Sequence, residues 1–282
     1  MVTTELTESS TSRFAQLGNI RVHYNEAGAG PALIMLHGGG PGASGWSNFH
    51  QNLHALHDRF HILLVDQLGF GQTDYVEPTE PYTQQSARTV RDLLDSLKIE
   101  KANFIGNSLG GAVSLNFAID YPERIDHLVV MGAPGSGSSL FYPQPSEGVK
   151  KLMSAVGRDL TKQDIRDFIE IMVYDASFLT DELCEQRLAS AKKTHSPDRS
   201  VIADMFKPTT PQRDLSRELG KVRAKTLVTW GSDDRFLSID QGLTFMRGIK
   251  GSQMHIFAQC GHWAQFERAA DFNSVVEAFF NT

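Results

Sequence analysis

Short apolar segments alternate with longer segments of helical periodicity along most of the chain, and this alternation restricts the fold more than any other feature. Several apolar segments are continuous, as in parallel strands that are covered on both faces. The order strand, helix, strand is the signature of an α/β sheet. We therefore expect an α/β fold with a mostly parallel sheet flanked by helices. The expected strands are 20–28 (in an early hairpin), 32–38, 61–66, 103–107, 127–133, 225–231 and 253–259, and the clearest helices are 83–99, 110–122 and 271–280.

The alternation stops after Met131 and resumes only at Lys225. Residues 134–212 begin with a segment rich in glycine, serine and proline and continue with several helical patterns. Helices inserted into a repeating β/α order could cap the sheet. The predicted organisation is a core formed by 1–133 and 213–282, with a helical cap, or lid, at 134–212.

Composition excludes several classes of function. The 282 residues suit one large domain or a core with an insertion. The net charge is −6 and no basic cluster stands out, so nucleic-acid binding has little electrostatic support. The two cysteines, Cys184 and Cys260, are too few for a disulfide scaffold. The polar N-terminus has no secretion signal and no segment reaches the ~18 apolar residues of a membrane span, so we expect a cytoplasmic protein without a membrane partner.

Ser108 lies in the sequence FIGNSLGGAV, where a strand pattern runs directly into a helical one. The motif G-x-S-x-G in that setting is the nucleophile elbow, in which a sharp turn exposes the serine hydroxyl. Small residues on either side let the backbone pass, and the helix N-terminus directs free N–H groups at an oxyanion. Without this context the pattern is weak, and a turn serine without chemistry is the alternative.

A nucleophilic serine needs a base and an acid that orients the base, in the chain order Ser, acid, His for this type of site. Two aspartates, Asp233 and Asp234, follow the strand 225–231, and His262 follows the last strand. We favour Asp234 because an apolar pair comes shortly after it and can fix its loop, whereas Asp233 is more typical of a turn. The predicted triad is Ser108, Asp234 and His262.

The glycine-rich segment HGGGPGASGWSN (37–48) follows the strand 32–38. In serine hydrolases of this architecture such a turn supplies an oxyanion N–H, and a side chain there would block the approach of the backbone. Gly39 and Leu109 are the predicted donor pair, with Gly40 a close second to Gly39. A simple glycine turn is the alternative, and the phosphate-binding P-loop motif is absent.

His50, His54 and His57 fall on one face of a probable helix, which is a possible metal site. No carboxylate or cysteine completes the set, so we predict a solvated face and no metal. His255 lies inside a strand pattern and is expected to be structural.

The local sequences resemble those of the meta-cleavage product hydrolases, which are α/β-hydrolases of bacterial aromatic degradation. The resemblance rests on the segments TESSTSRF, HYNEAG, HGGGPGASGWSN, GNSLGG, MVYD, LTDEL and CGHWAQFE, and it covers nearly the whole chain. It is strongest for the biphenyl-pathway and steroid-pathway branch. The resemblance implies the α/β-hydrolase fold and hydrolysis of a carbon–carbon bond in 2-hydroxy-6-oxo-hexa-2,4-dienoates, without a cofactor. It also implies a homo-oligomer, a dimer or a tetramer.

The resemblance further implies a set of substrate contacts. Arg187 matches the arginine that holds the carboxylate end of the substrate, and a solvated helix pair with Glu182 or Glu185 is its alternative role. Gly40, Asn48, Asn107 and Trp263 match contacts to the dienoate half. The pocket for the C6 substituent, expected to be apolar and to favour an aryl group, matches Val149, Leu152, Met172, Phe236 and Leu237.

Three other functions remain open at this point. A carboxylesterase or lactonase would use the same triad on the same fold, although Arg187 favours an anionic substrate. A hydrolase for a steroid-derived ring-cleavage product would differ only in the C6 pocket. A ligand receptor without catalysis belongs to a different class of protein, and it could retain the triad residues.

Overall fold

An eight-stranded sheet forms the centre of the computed structural model, which describes residues 5–137, 139–196 and 200–282. The strand order is β1-β2-β4-β3-β5-β6-β7-β8. The first two strands form a hairpin and β2 is antiparallel to β4, whereas all later pairs are parallel. The strands are β1 (Ser12–Leu17), β2 (Ile20–Ala27), β3 (Ala32–Leu36), β4 (His61–Val65), β5 (Ala102–Asn107), β6 (Ile125–Met131), β7 (Lys225–Gly231) and β8 (Gln253–Phe257).

Helices cover both faces of the sheet. Side chains alternate between the faces along each strand, so Phe104 of β5 packs in one core and the adjacent Ile105 in the other. The first core contains α3, α4 and α9, and the second contains α2 and α11. The helices are α1 (Glu8–Thr11), α2 (Gly45–Leu56), α3 (Tyr82–Ser96), α4 (Leu109–Asp120), α5 (Glu147–Met153), α6 (Lys162–Met172), α7 (Asp181–Thr194), α8 (Val201–Met205), α9 (Ile239–Gly248), α10 (Ala264–Glu267) and α11 (Ala269–Phe280).

The helix that follows the elbow, α4, is buried from Leu109 to Ile119. A helix that is apolar on all sides needs neighbours on all sides, and α4 has them in α3, β5 and β6. The elbow is therefore fixed by a helix that lies within the buried core.

Between β6 and β7, the described residues form four α-helices, α5 to α8, followed by two 3₁₀ helices, Leu215–Arg217 and Leu219–Lys221. Helices α5 to α7 contribute to one apolar cluster, which includes Ile165, Phe168 and Cys184, whereas Val201 of α8 packs in a separate cluster with Leu109. Phe236 and Trp263 from the loops after β7 and β8 join this cluster, so the cap helices are seated on the end of the sheet where these strands finish.

The predicted mostly parallel sheet flanked by helices is confirmed, and each predicted strand is present. The sequence patterns extend some strands by up to two residues, because the glycines and polar residues that follow belong to the loops of the site. The short helix α10 and the helix α9 were missed, since neither has a long apolar period. Within the described residues, no helix is long and apolar enough to cross a membrane.

Candidate active site

Ser108 lies at the junction of β5 and α4 with φ 51° and ψ −116°. This backbone conformation is strained for a residue with a side chain. The Ser108 N–H donates to the carbonyl of Met131 at 2.8 Å, which ties the turn to the end of β6. A Cβ on Gly106 would lie 2.4 Å from the carbonyl oxygen of Gly110, so the glycines on both sides let strand and helix approach each other.

His262 and Asp234 form a buried pair beside this turn. The Nδ1 atom of His262 lies 2.7 Å from Oδ2 of Asp234. The other carboxylate oxygen, Oδ1, accepts the backbone N–H groups of Phe236 at 2.8 Å and Leu237 at 2.9 Å. Both carboxylate oxygens of Asp234 therefore have hydrogen-bond partners, and the site suits the tautomer in which Nδ1 of His262 is the donor. The second ring nitrogen, Nε2, is buried without a hydrogen-bond partner among the described residues, so the structure shows no hydrogen bond between His262 and the Ser108 hydroxyl.

Asp233 is in a different environment. Its side chain is exposed and accepts from the hydroxyl of Ser232 at 2.5 Å. Its backbone N–H donates to the carbonyl of Cys260 at 2.9 Å. The structure thus brings Asp234, and not Asp233, into contact with the histidine.

The glycine loop after β3 passes directly over the elbow. A Cβ on Gly38 would lie 3.3 Å from Cβ of Ser108, and the Gly110 N–H donates to the carbonyl of His37 at 3.1 Å. Burial lowers the pKa of His37, whose Nδ1 donates to the Gly38 carbonyl at 2.8 Å. Because a trans peptide directs its N–H opposite to its C=O, this bond sets the direction of the Gly39 N–H.

A cavity of about 290 Å³ opens from Ser108 and His262 into the space under the cap helices. Phe168, which the sequence reasoning missed, lies at its wall against Gly40. The ring of Phe236 stacks on His262 with a centroid distance of 5.0 Å and meets the edge of Phe168 at 5.5 Å. The predicted site residues that line this cavity are Ser108, His262, Gly39, Gly40, Leu109, Val149, Leu152, Met172, Phe236 and Leu237.

A few polar side chains also line the cavity, among them Arg213. This guanidinium is already neutralised, because it donates to Glu218 at 2.7 Å and to Asp120 at 2.8 Å. Both carboxylates raise its pKa. The rest of the lining is mainly apolar.

Arg187 is only 8% exposed and, like Asn48, Asn107 and Trp263, it does not line the cavity around Ser108; it lines a neighbouring pocket with Gly42 and Trp263. Its Nε donates to the carbonyl of Pro41 at 3.2 Å, and its guanidinium carbon lies 4.9 Å from the centre of the Trp263 ring. No carboxylate among the described residues pairs with it, and burial lowers the pKa of Arg187 to about 10. A buried cation without a counter-ion is costly to a fold, and an anionic ligand would relieve that cost.

The remaining predicted contacts, Asn48, Asn107 and Trp263, do not line the cavity around Ser108. Trp263 Nε1 donates to Oδ1 of Asn48 at 3.1 Å, and the Asn48 amide donates to the Ser44 carbonyl at 3.1 Å, so these side chains hold each other. Asn107 is fully buried beside the serine, and its Oδ1 has no partner among the described residues. Contact of all three with a substrate stays a prediction.

The histidines of α2 have partners of other kinds. His50 stacks on Trp46 with a centroid distance of 5.8 Å, and His54 meets the edge of the same ring. In the part of the chain that the structure describes, no three His, Cys, Asp or Glu side chains are grouped as metal ligands.

Comparison with known proteins agrees with this arrangement. Residues 31–269 match the profile of the α/β-hydrolase fold family. A 2-hydroxy-6-oxo-6-phenylhexa-2,4-dienoate hydrolase of Comamonas testosteroni is 43% identical over 98% of this chain and 98% of the relative. A 2-hydroxy-6-oxononadienedioate/2-hydroxy-6-oxononatrienedioate hydrolase of the same species is 42% identical, again over 98% of each chain. The solved meta-cleavage product hydrolase of Pseudomonas fluorescens IP01 is 27% identical, covers 95% of this chain and 97% of its own, and superposes with a TM-score of 0.83.

Proposed function

The chain belongs to the α/β-hydrolase fold family and, within it, to the meta-cleavage product hydrolases, and on this basis we propose its substrate and mechanism. It is a hydrolase that acts on carbon–carbon bonds. The substrate is a 2-hydroxy-6-oxo-hexa-2,4-dienoate with an aryl group at C6. Cleavage between C5 and C6 yields 2-hydroxypenta-2,4-dienoate and a carboxylic acid, which is benzoate for a phenyl substituent.

Ketonisation precedes the cleavage. In the dienol form, C5 has no electron acceptor that would let it leave as a carbanion. A proton added at C5 and one lost from the 2-hydroxyl give a 2-oxo-3-ene, whose conjugated carbonyl accepts the electron pair. Arg187 holds the C1 carboxylate and stabilises negative charge at this end of the substrate.

Ser108 then attacks the C6 carbonyl while His262 takes the hydroxyl proton, and Asp234 keeps the ring in the tautomer that can accept it. The oxyanion lies against the N–H groups of Gly39 and Leu109, each of which is typically worth about 3–4 kcal/mol of barrier. Collapse of this intermediate breaks C5–C6, and the electron pair passes to the C2 carbonyl oxygen, which receives the proton that His262 took from Ser108 and so forms the dienol product. Water, activated by His262, hydrolyses the acyl group from Ser108.

The observation that carries the proposal is the unpaired, buried Arg187 next to Pro41 of the glycine loop. An esterase for neutral substrates gains nothing from such a cation, whereas a dienoate needs one at its carboxylate end. The alternative role of Arg187, an ion pair with Glu182 or Glu185 on a solvated helix, has no support, because neither carboxylate contacts the guanidinium.

The lining of the acyl side favours an aryl group at C6 over an acidic chain. Val149, Leu152 and Met172 present apolar surface, and Arg213 is already paired with two carboxylates. Among the described residues that line the cavity, no free cation is left for a second substrate carboxylate. The dioate named for the relative of C. testosteroni would therefore be a poor substrate here.

Stopped-flow decay of the coloured dienolate tests the proposal. The C6-phenyl dienoate should be hydrolysed with a far higher kcat/KM than the dioate or a nitrophenyl ester, and Ser108→Ala should abolish hydrolysis. Faster cleavage of the ester would indicate a carboxylesterase, and binding without turnover by the wild type would indicate a receptor.

A further inference from the structure

The loop that carries His262 contacts the end of the cap helix α6. The His262 N–H donates to the carbonyl of Met172, the last residue of α6, at 2.7 Å. A Cβ on Gly261 would lie 2.5 Å from that carbonyl oxygen and 2.8 Å from Cα of Val173. The two segments therefore touch through their backbones, and only glycine at position 261 permits the contact.

Glu267, five residues after His262, joins the same two segments. Its Oε1 accepts the backbone N–H of Gly261 at 2.8 Å, and its Oε2 accepts the N–H of Tyr174 at 2.6 Å. One carboxylate thus holds backbone donors from both sides of the contact.

Glu267 is not explained by an ion pair. The side chain is partly buried, and burial raises its pKa. Within the described part of the chain no cation pairs with it, since the neighbouring Arg268 donates instead to Asp271 at 2.7 Å. Burying a carboxylate at this point has a cost, which the backbone donors of the two segments offset together with the Cys260 thiol, whose Sγ lies 3.9 Å from Oε1.

We propose that Glu267 is a positioning residue, which sets the backbone of His262 and the end of α6 relative to each other. His262 is the proposed base, and Met172 lines the acyl side of the cavity. A single side chain thereby fixes the position of the base relative to one wall of the acyl pocket. The inference rests on the proposed roles of Ser108 and His262 but not on the identity of the substrate.

Glu267→Gln keeps the size of the side chain and replaces one acceptor oxygen by an NH₂ group. That group would face an N–H donor, so either the Gly261 side or the Tyr174 side loses its partner. Small displacements of a catalytic group lower rates steeply, and we expect a loss of about tenfold or more. Glu182→Gln on the exposed surface of α7 is the matched control.

Two rates are measured, namely steady-state turnover of the dienoate and inactivation of Ser108 by a fluorophosphonate, which reports activation of the serine by His262. In Glu267→Gln we expect kcat and the inactivation rate to fall by about tenfold or more with KM nearly unchanged, and Glu182→Gln to match the wild type. A residue with a role in stability alone would lower Tm and leave both rates unchanged below the transition, which would overturn the proposal.

The inactivation assay separates this inference from the proposed function. If the wild type reacts with the fluorophosphonate but does not cleave the dienoate, the substrate is wrong and the role of Glu267 is still tested. If Glu267→Gln fails to fold, hydrogen exchange of backbone amides in the wild-type protein tests the proposal instead. The Gly261 and Tyr174 amides should be strongly protected, and exchange of either at the rate of an unstructured amide would contradict the proposal.

Discussion

The replacement Asp234→Asn probes the proposed acid with the smallest change in volume. In the native site Oδ2 accepts from His262 Nδ1 at 2.7 Å, and Oδ1 accepts two backbone N–H groups. An asparagine has only one acceptor oxygen for these three donors. If its NH₂ group faces His262, the ring must present an unprotonated Nδ1 and therefore carries its proton on Nε2, where it cannot act as a base. If the NH₂ group faces Phe236 and Leu237 instead, two hydrogen bonds in the loop are lost.

The first arrangement keeps the two hydrogen bonds in the loop and loses only the active tautomer of His262, so we expect it to predominate. A wrong tautomer in a Ser-His-Asp site lowers kcat by about 10⁴. This factor corresponds to about 5 kcal/mol of transition-state stabilisation. Folding should be less affected, because the carboxamide still accepts from the loop and the buried charge is removed.

Stopped-flow absorbance with the C6-phenyl dienoate measures kcat, and urea denaturation measures the free energy of unfolding. Asp233→Asn is the control, since it makes the same chemical change one residue earlier on an exposed side chain. We expect that variant to retain kcat within a few-fold of the wild type. A loss below about tenfold in Asp234→Asn, or equal losses in the two variants, would refute the assignment of the acid.

Three further predictions follow from other parts of the site. Gly106→Ala places Cβ 2.4 Å from the carbonyl oxygen of Gly110, so the free energy of unfolding in urea should fall by about 2 kcal/mol or more, and an unchanged midpoint would contradict the close packing of the elbow. Arg187→Met removes an unpaired buried charge, so the free energy of unfolding should be unchanged or higher. The value of kcat/KM for the dienoate should fall about 100-fold, whereas kcat/KM for a neutral ester should stay within a few-fold of the wild type. Equal losses on both substrates would exclude a role of Arg187 in binding the carboxylate. Since burial disfavours the cation and lowers the pKa of Arg187 to about 10, kcat/KM for the dienoate should decrease as the pH rises through that value, and a wild-type profile identical to that of Arg187→Met would contradict this.

Local patterns predicted much of the fold because each depends on neighbours in the chain. The continuous apolar segments mark buried parallel strands, and a serine between glycines at a strand–helix junction marks the elbow. The ends of some strands were overestimated by up to two residues, because the glycines and polar residues that follow belong to the loops of the site. The expectations of a homo-oligomer and of a cytoplasmic location stay predictions, as do the domain boundaries at 134 and 212.

Periodicity and spacing along the chain are enough to predict the α/β class, the chain order of Ser108, the aspartates and His262, and a helical cap. The contact of Asp234, rather than Asp233, with the histidine arises only in the folded chain, because it depends on which carboxylate the loop after β7 turns towards the histidine. The same is true of three other features of the site, namely the cavity wall formed by Phe168, the absence of a counter-ion at Arg187 and the hydrogen bonds of Glu267 to two segments. Each of these arises from groups that are distant in the chain and meet only when the cap helices pack on the ends of the strands, a relation that no local pattern records.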